Sequence, residues 1–213
     1  MSGSGVAEEI IVQAIRESCD VKVELLDQQL AALVRLAMLF VDTFRQGGKV
    51  VLFGNGGSAA EAQHVAAEFI GRFGVTRMAL PAMALTTDTS VLSAVGNDFA
   101  FEEVFARQVQ ALVQRGDVVV GISTSGNSEN VIRGVLAARE KGATTVGFTG
   151  RNGGRLKEVV DFRVAVPSDS TPRIQEAQLN VWHSVCEVVD RELFGSTMAQ
   201  SEWTRRAEAA SLT

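Results

Sequence analysis

The chain carries only two histidines, His64 and His183. Glu68 follows the first by four positions, a spacing that sets an imidazole and a carboxylate on one helical face, one turn apart, where both can address a single ligand or metal ion. An imidazole and a carboxylate on opposite sides of a carbon acid are also the groups that general acid–base catalysis requires. Gln175 precedes His183 by eight positions. On one helix that pair is about 80° apart in projection and ~12 Å apart along the axis, which strains convergence on one ion. A helical histidine can equally be a packed or surface residue, so spacing alone leaves both readings open.

Two further segments are built to receive an anion. Gly54-Asn55-Gly56-Gly57-Ser58 follows an apolar run and precedes a helical pattern. Glycines allow close approach to the backbone, and the N–H groups and dipole of a helix start favour negative charge. A tight structural turn uses glycine too. Ile122-Ser123-Thr124-Ser125-Gly126-Asn127-Ser128 repeats the arrangement with four hydroxyls, where a simple N-cap needs one. The Gly-Lys-Ser/Thr of a P-loop is missing, and so is GxGxxG. A phosphate monoester fits these segments better than a nucleoside triphosphate or a dinucleotide.

The elements that must hold these residues alternate along the chain. Strands are expected at Val50–Phe53, Ala82–Leu85, Val118–Ile122, Thr144–Phe148 and Phe162–Val166, with helices at about 58–71, 101–115, 128–141 and 172–194. Near-continuous apolar strands separated by helices predict an α/β protein, a three-layer structure with a parallel five-stranded sheet flanked by helices. The last strand, which carries Arg163, is expected at an edge. Two N-terminal helices are expected within about 5–47. Asp27 would cap the second, with Leu30, Leu33, Val34, Ala37, Phe40, Val41 and Phe44 as its apolar stripe and Gly47-Gly48 as its stop. That stripe can pack on its own chain or on a partner subunit. The 213 residues read as a single domain, with the core at about 48–195 and a polar tail at 196–213 containing Trp203.

A net charge of −5 argues against a broad nucleic-acid surface. The opening residues lack the features of a signal peptide, and no run approaches the ~20 apolar residues of a membrane span. Cys19 and Cys186 match no redox or zinc spacing. The expectation is a soluble cytoplasmic protein with free thiols and no nucleic-acid or membrane partner.

Taken together, GNGGS (54–58), Gln63-His64 with Glu68, Gly96-Asn97-Asp98-Phe99, GISTSGNS (121–128) and Arg173-Ile174-Gln175-Glu176 with His183 resemble the phosphoheptose isomerase branch of the sugar-isomerase (SIS) family. The resemblance spans about 10–195 and implies the SIS fold. It also implies conversion of sedoheptulose 7-phosphate to D-glycero-D-manno-heptose 7-phosphate through an enediol, the first step of bacterial heptose synthesis. Substrate binding is implied for Asn55, Gly56, Gly57, Ser58, Asn97, Asp98, Ser123, Thr124, Ser125, Ser128 and Gln175. A divalent metal, typically zinc, is implied on His64, Glu68, Gln175 and His183, with Glu68 as base and His183 as acid. A homotetramer is implied as well. The strained spacing of Gln175 and His183 adds the expectation that neighbouring chains divide the catalytic pair, Glu68 from one and His183 from the other. Gln178 departs from the pattern, standing where many relatives have histidine. The competing reading is a non-catalytic SIS protein that binds the DnaA replication initiator; that branch lacks the counterparts of Glu68 and His183.

Overall fold

The computed structural model describes residues 3–195. Its first element corrects the expectation of two N-terminal helices: α1, Gly3–Arg45, is one continuous helix of 43 residues. No glycine or proline interrupts residues 6–45, and an aspartate in a helix interior costs only a few tenths of a kcal/mol, so Asp27 lies within the helix instead of capping one. The stop is as expected: Gly47 adopts φ 80°, and the N–H of Gly48 returns to the carbonyl of Thr43. The expected stripe divides between two faces. Ala37, Phe40 and Val41 are buried, whereas Leu30 and Val34 are exposed.

Beyond α1 the chain alternates. β1 is Val50–Gly54, α2 Gly57–Ile70, β2 Ala82–Ala84, α3 Thr89–Asp98 and α4 Val104–Leu112. There follow β3 Val118–Ile122, α5 Glu129–Glu140, β4 Thr144–Thr149, β5 Phe162–Ala165 and α6 Thr171–Phe194. Each expected strand is present. The helix expected at 101–115 is shorter, a 3₁₀ turn at Phe101–Glu103 running into α4. α3 was not foreseen: Asp88 caps it through Val91 N–H, and its apolar stripe is short, Val91, Leu92 and Val95, with Leu92 and Val95 only partly buried against the core. The expected tail at 196–213, with Trp203, lies outside the described residues.

The five strands pair in parallel in the order β2-β1-β3-β4-β5. Alternate side chains serve opposite layers, as the two-residue strand period requires. Val50 and Leu52 join Phe40, Phe69 and Trp182 beneath α1, α2 and α6, while Val51 and Phe53 join Phe105 and Val135 beneath α4 and α5. Trp182 stacks on Phe148 of β4 with centroids 4.2 Å apart. β5 is an edge strand, as expected from Arg163, and the side-chain amide of Gln29 on α1 bonds both the N–H and the carbonyl of Ala165 along that edge.

β1 has β2 on one side and β3 on the other, so the chain reverses its direction of winding between β1 and β3. In doubly wound sheets, the crevice at the carboxyl ends of such strands is where ligands bind. Asp117, almost fully buried, bonds the backbone N–H and the ammonium of Lys49 and the N–H of Gln114, pinning the starts of these two strands together. Among the described residues no helix is long and apolar enough to cross a membrane.

Candidate active site

Both anion-receiving segments emerge at this crevice. Gly54 ends β1, and a Cβ there would come within 2.8 Å of the Ile122 carbonyl on β3, so a side chain would force the strand ends apart. Gly56 turns the chain at φ 55°, and α2 begins at Gly57. On the β3 side, Ser123 Oγ stands 3.0 Å from Ser128 Oγ, and Ser128 occupies the N-cap position of α5. Ser125 Oγ accepts from Asn127 N–H. The starts of α2 and α5 thus border one crevice, with the serine loop beside them, a setting whose chemistry suits a phosphate. The amides of Asn55 and Asn130 bond each other reciprocally, at 2.9 Å in each direction. Asn130 was not foreseen; its one sequence signal is an asparagine just inside a helix start, where its amide needs a partner.

The second cluster lies where α2 packs along α6. His64 Nε2 and His183 Nε2 stand 3.0 Å apart, and Glu68 Oε1 lies 3.3 Å from His64 Nε2. All three donors lie within 4.8 Å of one another. Two imidazole nitrogens and a carboxylate oxygen form a donor set that zinc accepts, and bonds of about 2.0–2.1 Å in a tetrahedron would set donors roughly 3.3 Å apart, close to these separations. The residues therefore fit a divalent metal. The three come together within one chain, which corrects the expected division of Glu68 and His183 between neighbours. Parallel packing of two helices achieves it, with no contribution needed from Gln175.

Gln175 is placed differently. Its carboxamide rests on Gly57, where a Cβ would be 2.4 Å from Nε2, two turns of α2 before His64. At ~1.5 Å per residue that is about 10 Å of helix, so Gln175 sits at the phosphate-loop end. Gln178 faces the sheet instead. It is fully buried, its Nε2 lies 3.5 Å from the Thr149 carbonyl, and its Oε1 is without a partner among the described residues. Asn97 bonds Asp98 at the exposed end of α3, and no hydrogen bond ties either to the two loops.

Two features that the sequence did not reveal support the cluster from behind. Arg77 donates to Asp190 at 2.5 Å and to the carbonyls of Glu68 and Phe69, and Asp190 also accepts from Gly74 N–H. Trp182 donates its indole N–H to the buried Glu61 at 2.6 Å. Burial pushes the Glu61 carboxyl up to about 8, against the opposing effect of that hydrogen bond. Cys186 is inert, its thiol raised to about 12, chiefly by burial. A polar cavity of about 170 Å³ opens beside the serine loop, between Thr124, Ser125, Arg151 and Asp169. The larger groove, about 540 Å³ between β2, α3 and α4, is mainly apolar and holds none of the candidate acid–base groups.

This fold is that of a known class of sugar-phosphate isomerases. Residues 13–150 match the SIS domain family, and the chain belongs to it. A phosphoheptose isomerase from Roseiflexus sp. (strain RS-1) is 54% identical over 86% of this chain and 93% of the relative. The solved phosphoheptose isomerase from Neisseria gonorrhoeae superposes with a TM-score of 0.82 at 43% identity, covering 86% of this chain and 98% of that one. The structure of a phosphoheptose isomerase from Francisella tularensis gives 0.84 at 34% identity, covering 87% and 98%. None of these three is described as an initiator-binding protein.

Proposed function

We propose that the protein is an aldose–ketose isomerase that converts sedoheptulose 7-phosphate to D-glycero-D-manno-heptose 7-phosphate, opening bacterial heptose synthesis in the cytoplasm. The convergence of His64, Glu68 and His183 beside a double phosphate cradle carries this reading, and the identity to named phosphoheptose isomerases supports it. In the reading, Ser123, Thr124, Ser125 and Ser128 hold the phosphate, together with the backbone N–H groups of Gly56 and Gly57. Gln175, next to Gly57, holds the sugar chain. Glu68 removes the proton from the carbon beside the carbonyl, leaving an enediol, and His183 serves as the acid that moves the oxygen protons. The proton is then returned to the neighbouring carbon, and each such transfer contributes about 10²–10⁴ in rate.

His64, Glu68 and His183 are the residues that would hold zinc, with Gln175 as a fourth ligand if its side chain swings along the groove. Bound there, zinc would supply Lewis-acid polarisation of substrate oxygens. Asn97 and Asp98, exposed on α3, fit a role at the site of a neighbouring subunit in a homotetramer.

Incubation with sedoheptulose 7-phosphate, followed by NMR, tests the reaction. An aldose phosphate is expected, and its absence with metal-loaded protein would overturn the reading. Glu68→Gln and His183→Ala should each lower kcat by at least about 10² while calorimetry still detects substrate on the separate phosphate loop. Near-normal turnover in either variant would move the chemistry elsewhere.

A further inference from the structure

The two loops that flank the crevice are joined by one pair of side chains. Asn55 lies in the glycine loop after β1, and Asn130 is the second residue of α5, just beyond the serine loop after β3. Each amide donates one N–H to the other's oxygen at 2.9 Å, closing a two-point ring. Asn130 is only 3% exposed, so its amide depends on that partner. Two positions before it stands Ser128, which is bonded to Ser123. One position after Asn55 begins the Gly56–Gly57 turn into α2, and Ser58 N–H closes that turn on the Asn55 carbonyl. Displacing either amide therefore shifts the donors of one helix start relative to the other.

We propose that Asn130 is a positioning residue of the active site, locking Asn55 so that the 54–58 and 123–128 loops keep the separation at which one phosphate engages both. Asparagine is a weak helix former whose amide competes for backbone partners, and at this place its side chain is spent on a bond across the crevice. The ring also fixes the orientation of Asn55, so the second N–H and the second lone pair of its amide point in a set direction. The inference rests on the reading of the two loops as the phosphate site and adds to it how their spacing is maintained.

Kinetics and calorimetry with sedoheptulose 7-phosphate, and inhibition by inorganic phosphate, test it on wild type, Asn130→Ala, Asn55→Ala and the double variant. Asn130→Ala is expected to raise KM and the phosphate inhibition constant together by about tenfold or more, with kcat within a few-fold of wild type, and Asn55→Ala to raise both constants at least as much. The double variant should be no worse than the weaker single one, because the pair acts as a unit. An unchanged KM in Asn130→Ala, or single effects that multiply in the double variant, overturns the inference alone. Wild type that binds neither substrate nor phosphate overturns the reading of the loops and this inference with it. If the alanine variant does not fold, Asn130→Leu decides, since it is close in size and shape, adds no charge and cannot bond Asn55. A raised KM supports the positioning role, and an unchanged one overturns it.

Discussion

Glu61 sits one turn before His64 on α2, turned further inward, where it is buried and accepts from Trp182. A carboxyl held near 8 in the fold, against an ordinary value of 4.5, keeps its proton through a range in which the unfolded chain has lost it. Between those values the native state binds more protons than the unfolded state, so stability falls as pH rises from about 4.5 to about 8 and is flat on either side as far as this group is concerned. The fall is on the order of 1 kcal/mol per pH unit. Glu61→Gln mimics the protonated acid and still accepts from the indole. Urea denaturation at pH 5.5 and pH 8 should therefore show a steeper loss for wild type than for the variant, and parallel losses would mean that Glu61 is ionised in the fold. Neither the burial of Glu61 nor its partner could be read beforehand, because the contact joins residues 121 positions apart.

At the level of elements, what matters is the alignment of α2 with α6. Arg77 and Asp190 are almost fully buried, and the guanidinium also gathers the carbonyls at the end of α2 just where Glu68 stands. Breaking such a pair from one side leaves the other charge uncompensated, at a cost of about 3–5 kcal/mol. Asp190→Ala should thus lower the chemical-denaturation midpoint sharply. Arg77→Lys, which keeps the charge but not the fork, should fold and bind zinc more weakly in a calorimetric titration of metal-free protein. Zinc affinity equal to wild type in a folded Arg77→Lys would show that the clamp does not govern the cluster. The strands were legible as short, near-continuous apolar runs, and α2, α5 and α6 because their apolar residues keep a helical period and their starts carry glycine, serine or proline. The same holds for the pairing of His64 with Glu68, a matter of spacing on one helix. α3 was not legible because its apolar stripe is a single turn long and only partly buried, and Asp27 misled because a capping residue type also survives inside a long helix. The meeting of His183 with His64 depends on how two helices pack, which no local pattern encodes.

For the whole molecule, α1 sets the question. Val12, Ile15, Val23, Leu26, Leu30 and Val34 lie exposed along it, a run of apolar side chains at helical spacing. Apolar rows of this length are usually covered, and a second copy of the helix is the cover proposed with the homotetramer. Leu26→Glu with Leu30→Glu should shift the sedimentation profile to smaller species. Because Glu68 and His183 meet within one chain, mixed oligomers of Glu68→Gln and His183→Ala chains should stay inactive. Mixtures of Glu68→Gln with Asp98→Ala should regain turnover if α3 serves a neighbour's site. Recovery in the first mixture would restore the divided pair, and none in the second, with hybrid oligomers verified, would confine Asp98 to its own subunit.

The contact of Gln29 with Ala165 bears on which assemblies the chain can form. An unpaired edge of a parallel sheet is a template on which a strand from another molecule can dock and from which fibrous growth can start. The Gln29 amide offers one acceptor and one donor at the spacing of a peptide group and so occupies the bonding positions of Ala165, while Arg163 adds charge to the same strand. Strand addition at Ala165 is thereby disfavoured, and the proposed association falls to helix surfaces, whose contacts can close into a symmetric set of subunits. In the homotetramer proposed above, the long helix would do two opposed things: shield one border against open-ended polymerisation and offer another for finite assembly.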